Sequence, residues 1–192
     1  MDPVAAPLCP ISASRHALLA PSSSDMQPPT YHLHESPLGP LLASADEQGR
    51  LERLHFLDAK GAPAGVAPEA SRSGGPCVAL FEQIDAYFAG ELCDFEVKIA
   101  TAGSPFEEAV WAKLREIPYG ETISYGELAA AAGRAGAARA AGSACGRNQI
   151  AIVVPCHRVV AADGRLTGYA GGLHRKRALL THERSLGQHR PR

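Results

Sequence analysis

Apolar and polar positions divide this 192-residue chain into a half with period two and a half with helical spacing. Tyr31-His32-Leu33-His34 alternates, Ser36-Pro37-Leu38-Gly39 turns, and Leu41-Leu42-Ala43-Ser44 resumes an apolar run. Asp46-Glu47-Gln48-Gly49 turns again before Leu51 to Leu57. Two hairpin signals in succession predict a small antiparallel sheet. His32 and His34 fall on one face of its first strand, where a solvated pair is the expectation rather than a metal site. From Pro76 to Phe88 the residues Val78, Leu80, Phe81, Ile84, Tyr87 and Phe88 recur near helical spacing, and Gly90 stops the helix. Phe95, Val97 and Ile99 alternate as a last strand, and Thr101-Ala102-Gly103 marks a domain boundary. Residues 1–27 have no sustained period and read as a flexible leader with a weak helical patch at Ser14–Leu19. Lys60–Gly75, rich in Gly, Ala, Pro and Ser, reads as a mobile loop.

The second half opens on Ser104-Pro105-Phe106-Glu107, a capping box with proline at the first helical position. Phe106, Val110, Leu114 and Ile117 form the apolar stripe of that helix, with Trp111 beside it, and Pro118-Tyr119-Gly120 ends it. Ser124 caps a second helix through Ala132, again with Glu127 three residues on. After Gly133-Arg134-Ala135-Gly136 a third helix runs from Ala137 to Cys145. Helix, glycine-bearing turn, helix is the shape of a helix-turn-helix and equally of a plain packing pair. The third helix is almost all small residues, which suits close packing against a neighbour or close approach to a nucleic-acid groove, with Arg139 as its one long arm and basic flanks at Arg134 and Arg147.

The β-branched run Ile152-Val153-Val154 then delivers Pro155, Cys156, His157 and Arg158, followed by Val159-Val160. It predicts a buried strand ending at Cys156. A cysteine is an effective nucleophile as its thiolate, and a nearby imidazole can favour that form. Cys-His adjacency also fits a small buried hydrophobe. Gly168-Tyr169-Ala170-Gly171-Gly172 reads as a flexible loop, Leu173 to Glu183 as a terminal helix with Arg175, Lys176 and Arg177, and residues 187–192 as a basic tail.

Charge changes the picture of the second half. Residues 1–104 carry 6 Lys/Arg against 13 Asp/Glu, a balance of −7, whereas residues 105–192 carry 13 against 7, or +6. A basic half beside an acidic one fits a polyanionic partner for the second half alone. The five cysteines, Cys9, Cys77, Cys93, Cys145 and Cys156, are widely spaced with no Cys-x-x-Cys pair. That argues against a disulfide framework or a zinc finger and suits a reducing compartment. No apolar run is long enough to span a bilayer, and Met1 to Ala20 lacks the pattern of a secretory signal, so a cytoplasmic protein is expected.

Residues 104–184 resemble the catalytic domain of the O6-alkylguanine-DNA alkyltransferases, also called methylated-DNA–protein-cysteine methyltransferases. The resemblance lies in Gly120-Glu121-Thr122-Ile123-Ser124-Tyr125, Ala138-Arg139-Ala140, Asn148, Val154 to Val160, Gly168 to Gly172 and Leu179-Leu180-Thr181-His182-Glu183, in family order and at family spacing. Residues 30–100 are similar to the family's N-terminal domain. The resemblance implies an α+β chain: a leader at 1–27, an RNase H-like antiparallel-sheet domain at 28–100, and a mainly helical DNA-binding domain at 101–186 with a winged-helix-like helix-turn-helix. It further implies a stoichiometric, suicide reaction on double-stranded DNA containing O6-alkylguanine. The damaged base is flipped into a pocket, and Cys156 takes the alkyl group as a thioether, so that no turnover follows and no cofactor is needed.

By the same resemblance His157 draws the proton from Cys156 through a water, Glu183 polarises His157, Asn148 braces the turn before the cysteine, and Tyr125 donates toward the base near its phosphate. Arg139 fills the vacancy in the duplex, and its helix with Ala138 lies in the minor groove. Arg147 is expected to contact DNA on its charge as a basic flank of that helix, not on the resemblance. Val159, Tyr169, Ala170 and Lys176 belong to the guanine pocket. Ala170 stands where some relatives carry serine, so a contact there falls to its backbone N–H. Asp46 and Leu51 stand where some relatives carry a zinc-binding cysteine and histidine, so no metal site is expected. A monomer with no obligate protein partner is expected. The rival readings are a non-enzymatic sensor of alkylated DNA, which the presence of Cys156 disfavours, a Cys-His hydrolase, and a helix-turn-helix regulator with a structural Cys156.

Overall fold

A computed structural model describes residues 31–58 and 77–187. The leader, the Lys60–Gly75 loop and the tail beyond Gly187 lie outside the described residues. Strands β1 (His32–His34), β2 (Leu41–Ala45) and β3 (Leu51–Phe56) form an antiparallel sheet in that order, with Leu33 opposite Leu42 and Leu42 opposite His55. Both expected turns are closed by backbone bonds, from Gly39 N–H to the Ser36 carbonyl at 3.0 Å and from Gly49 N–H to the Asp46 carbonyl at 2.9 Å. The Asp46 carboxylate is spent on its own turn, accepting from the backbone of Gln48 and Arg50 and from the Arg50 side chain. Leu41, Ala43, Leu54 and Phe56 share one buried cluster with Leu80, Ile84 and Tyr87 of helix α1 (Val78–Ala89). Gly90 ends α1 in the left-handed region at φ 80°, as a glycine C-cap does without strain.

Two expectations for this half are corrected. His32 and His34 are not a solvated pair: His32 is buried, while His34 stacks on Phe81 at 4.6 Å and meets Asp85 at 2.7 Å, both partners on α1. Phe95, Val97 and Ile99 form no strand, and only Ile99 bridges to Leu51. The reason lies in where the backbone finds its partners. The Gln83 side chain takes both Glu96 N–H, at 2.7 Å, and the Glu96 carbonyl, at 3.3 Å. β3 meanwhile shares its edge, pairing Leu51 with 98–100 and Leu54 with 149–151.

Helices α2 (Pro105–Arg115), α3 (Tyr125–Ala131) and α4 (Ala138–Gly146) follow, and Ser104 and Ser124 make complete capping boxes with Glu107 and Glu127. Gly133 and Gly136, at φ 80° and 82°, turn the chain between α3 and α4. Trp111 donates its ring N–H to the Ala144 carbonyl at 3.0 Å, pinning α2 to α4. The small residues of α4 serve this packing on one side, where Ala141 and Ala144 are buried. β4 (Ile123–Ser124) and β5 (Val159–Val160) pair in parallel, and α5 (Leu173–Gly187) closes the domain, continuing past the expected Glu183.

The strand expected before Cys156 is absent. Ile150 bridges to Leu54, and the chain then coils: Val153 N–H bonds to the Ala151 carbonyl at 2.8 Å, Val154 N–H to Ile150 at 3.0 Å and Cys156 N–H to Val154 at 2.8 Å. Ile152 sits at φ 68°, the left-handed region that β-branched residues avoid. Strand propensity loses here because Asn148 supplies the backbone partners a sheet would have given. Its Nδ2 donates to the Val154 carbonyl at 2.7 Å, and its Oδ1 accepts Ile150 N–H at 3.0 Å. Cys156 then opens one turn of 3-10 helix through Arg158.

Candidate active site

Cys156 lines a cavity of about 620 Å³ between the helix-turn-helix and the loop after Thr167. Tyr125, Ala138, Arg139, Gly142 and Cys145 form one wall, and Thr167 to Ala170 the other. The sulfur is almost enclosed, and Asn148 Nδ2 donates to it at 3.2 Å. Burial raises the thiol above its ordinary value, and the Asn148 hydrogen bond and the Lys176 charge only partly oppose that rise. At rest this sulfur keeps its proton, so nucleophilic attack requires a base.

The candidate base lies behind it. His157 is fully buried, with Nε2 at 2.8 Å from Glu183 Oε1 and a buried Nδ1 that holds no hydrogen bond. Burial pushes the imidazole below its usual value, against the hydrogen bond and charge of Glu183. A neutral ring that donates Nε2–H to Glu183 leaves Nδ1 as an open acceptor.

Glu183 is the hub of this layer. It accepts from the Tyr87 hydroxyl at 2.8 Å, from Gly120 N–H at 3.1 Å, and from Arg158 Nε and Nη2, each at 3.0 Å. Burial alone would raise its carboxyl, but His157 and Arg158 pull it down to about 2. Arg158 is itself buried, and its Nη1 donates to the Ile117 carbonyl at 2.6 Å.

The remaining expected residues divide. Tyr125 lines the cavity, and its phenol oxygen accepts Thr167 Oγ1 at 3.3 Å, leaving the phenol proton free to donate. Tyr169 and Ala170 line it as well, and the Tyr169 hydroxyl is buried without a hydrogen bond. Arg139 stands exposed on the cavity wall beside Ala138. Val159 and Lys176 are not lining residues. Lys176 is fully buried and grips the Val159 carbonyl at 2.6 Å and the Thr167 carbonyl at 3.0 Å, which fixes the loop from behind. Arg147 is also set apart from the cavity, paired with Glu107 at 2.8 Å.

Three site residues were not expected. Arg158 carried a signal, since a charge inside an apolar run is buried only with a partner. Tyr87 carried none, because its role depends on contact between α1 and α5. Cys145 places a second thiol in the cavity wall, pushed up to about 12 by burial and by Cys156, and therefore protonated.

Comparison with known proteins decides the family. The profile of the 6-O-methylguanine DNA methyltransferase ribonuclease-like domain matches residues 30–101, and that of the DNA binding domain matches residues 105–185. A methylated-DNA–protein-cysteine methyltransferase of Methanosarcina acetivorans is 47% identical over 166 residues, covering 81% of this chain and 98% of its own. The chain belongs to the methylated-DNA–protein-cysteine methyltransferase family. A Mycobacterium tuberculosis member is 47% identical over 157 residues. The crystal structure of the Mycobacterium tuberculosis OGT in complex with DNA superposes with a TM-score of 0.72 at 46% identity, over 81% of this chain and 93% of that one. A family member from Pyrococcus kodakaraensis, 26% identical, gives 0.59 over 80% of this chain and 98% of its own. The expected α+β architecture, an antiparallel-sheet ribonuclease-like part followed by a helical DNA-binding part, is thus the methyltransferase fold.

Proposed function

We propose that the protein repairs DNA by accepting the alkyl group of O6-alkylguanine on Cys156, once per molecule. The observation that carries this reading is the division of the site into two layers. A thiol faces a cavity large enough for a purine, while the groups able to take its proton and stabilise the resulting charge are sealed behind it. A base reaches such a cavity only by leaving the duplex. In this reading Arg139, exposed on the cavity wall, fills the gap, and the small residues of α4 support close approach to the minor groove.

The atoms balance within the protein and the base. The Cys156 proton passes through a water to His157 Nδ1, and Glu183 stabilises the imidazolium that forms. Sulfur attacks the alkyl carbon as its bond to O6 breaks, and the bond pair stays with guanine, where the Tyr125 hydroxyl meets the developing charge. The proton taken up by His157 is returned through solvent to give neutral guanine and neutral imidazole. The product is a thioether with no easy leaving group, so the protein is consumed. No cofactor enters this balance. Among the described residues no helix is long and apolar enough to cross a membrane, and the thiols of Cys77, Cys145 and Cys156, none of them in a disulfide, suit work in the cytoplasm.

The test is a duplex carrying O6-methylguanine labelled in its methyl group, followed by peptide mapping. One methyl per protein on Cys156, lost in Cys156→Ala, is the expected result. Label that turns over, or that lands on Cys145 or elsewhere, overturns the reading.

A further inference from the structure

We infer that Arg175 is a positioning residue that clamps the closing end of the substrate-pocket loop to the N-terminal half of the chain, so that this half sets the shape of the pocket. The inference rests on the reading of the cavity as the alkylated-base pocket. Arg175 begins α5 and is buried, an unusual place for a guanidinium outside the Glu183 hub. Its Nη1 donates to the Gly171 carbonyl at 3.0 Å, at the end of the pocket loop, and its Nε donates to the Leu38 carbonyl at 2.8 Å, in the first turn of the sheet. The guanidinium lies over the Phe56 ring at 4.3 Å and pairs with Asp58 at 2.7 Å. One planar group therefore ties the loop to the first turn and to the end of β3.

The packing around this clamp leaves no slack. A Cβ on Gly171 would lie 2.9 Å from Phe56 Cδ2 and 2.8 Å from Tyr169 Cε1, and one on Gly39 would lie 3.0 Å from Arg175 Nη2. Arg175 and Lys176 are consecutive and hold opposite ends of the same loop, Lys176 at the Thr167 carbonyl and Arg175 at the Gly171 carbonyl. Between those anchors lie Tyr169 and Ala170, which line the cavity. Ala170 offers a base only its backbone, so the position of the loop main chain decides what it can contact. The Asp58 pair is exposed on the acid's side and contributes little; the two charge-assisted bonds to carbonyls carry the clamp. A lysine has a compact ammonium without the fixed fork and cannot reach all these acceptors in one conformation.

The test uses the full chain and two variants, Arg175→Met and Arg175→Lys, with alkyl transfer followed in single turnover from labelled O6-methylguanine duplex and from free O6-benzylguanine. Displacement of a substrate contact by about 1 Å can cost up to ~100-fold, so Arg175→Met is expected to slow transfer from both substrates by roughly ten- to a hundredfold. Arg175→Lys is expected to fall between it and the parent. The final yield should still approach one alkyl group per protein, and binding of undamaged duplex should stay as in the parent. A purely structural role gives the opposite pattern, a lowered yield with the parent rate constant in the surviving fraction. That pattern in both variants, or unchanged rates in both, overturns the inference. If Arg175→Met fails to fold, Arg175→Lys decides alone. Failure of the parent to accept label on Cys156 would instead refute the underlying function, so the two failures are distinct.

Discussion

Replacing Glu183 by glutamine keeps the side-chain shape and removes one buried negative charge from beneath Arg158, His157 and Tyr87. The magnitude follows from the carboxyl's displacement from an ordinary 4.5 to about 2. At about 1.4 kcal/mol per pH unit this corresponds to about 3 kcal/mol. Breaking a buried ion pair by removing one partner costs about 3–5 kcal/mol on general grounds. Both figures describe the same loss and are not added. The sign is fixed by proton binding. As pH falls, the unfolded carboxyl is protonated first, so the contribution is complete above 4.5 and is lost as pH falls toward 2. Urea unfolding followed through Trp111, the single tryptophan, supplies the assay. At pH 7 the Glu183→Gln variant should be less stable than the parent by about 3 kcal/mol, and the gap should close as pH falls from 4.5 toward 2. Other carboxylates titrate in both proteins and cancel in the difference. A gap that does not change with pH, or no gap at pH 7, refutes the assignment of Glu183 as a buried, ionised hub.

Tyr87→Phe removes one donor to the same carboxylate and should cost about 1.5–3 kcal/mol in urea unfolding, the value of a hydrogen bond to a charge. Asn148→Ala removes both the brace on the Ile150–Val154 coil and the donor to Cys156 Sγ. Because that donor opposes the upward push of burial on the thiol, the pH profile of alkyl transfer should move to higher pH; an unshifted profile would limit Asn148 to a structural role. Arg139→Ala should slow transfer from duplex more than transfer from free O6-benzylguanine, and equal losses would remove it from base extrusion.

Local chemistry made much of the fold legible. Ser104 and Ser124 each announced a helix through a glutamate three residues on, and both capping boxes form as written. The turns at Ser36–Gly39 and Asp46–Gly49 were equally plain, since their residues satisfy themselves within four positions. What failed was propensity read without its partners. Ile152-Val153-Val154 has the composition of a strand, but one asparagine side chain takes the hydrogen bonds and coils it. Phe95 to Ile99 alternates correctly and finds only Leu51, because Gln83 occupies the backbone of Glu96. The site was legible where its residues are close in sequence, as at Cys156 and His157. Glu183, Asn148 and Tyr125 came from family resemblance, Arg158 was signalled by its charge inside an apolar run, and Tyr87 and Arg175 emerged only when α1, α5 and β3 were seen together.

The Glu107–Arg147 pair has a consequence for how this protein responds to salt. A free basic side chain that neutralises a phosphate expels a condensed cation from DNA, and affinity then falls with rising salt in proportion to the number of such contacts. Arg147 is already neutralised by Glu107 Oε1, while Glu107 Oε2 holds the amide of Ser104 at the start of α2. Seating a phosphate on Arg147 therefore exchanges one anion for another, and the carboxylate left behind recruits a cation of its own. If Arg147 meets a phosphate in the complex, that contact adds less to the salt dependence of DNA binding than an arginine without a carboxylate partner would.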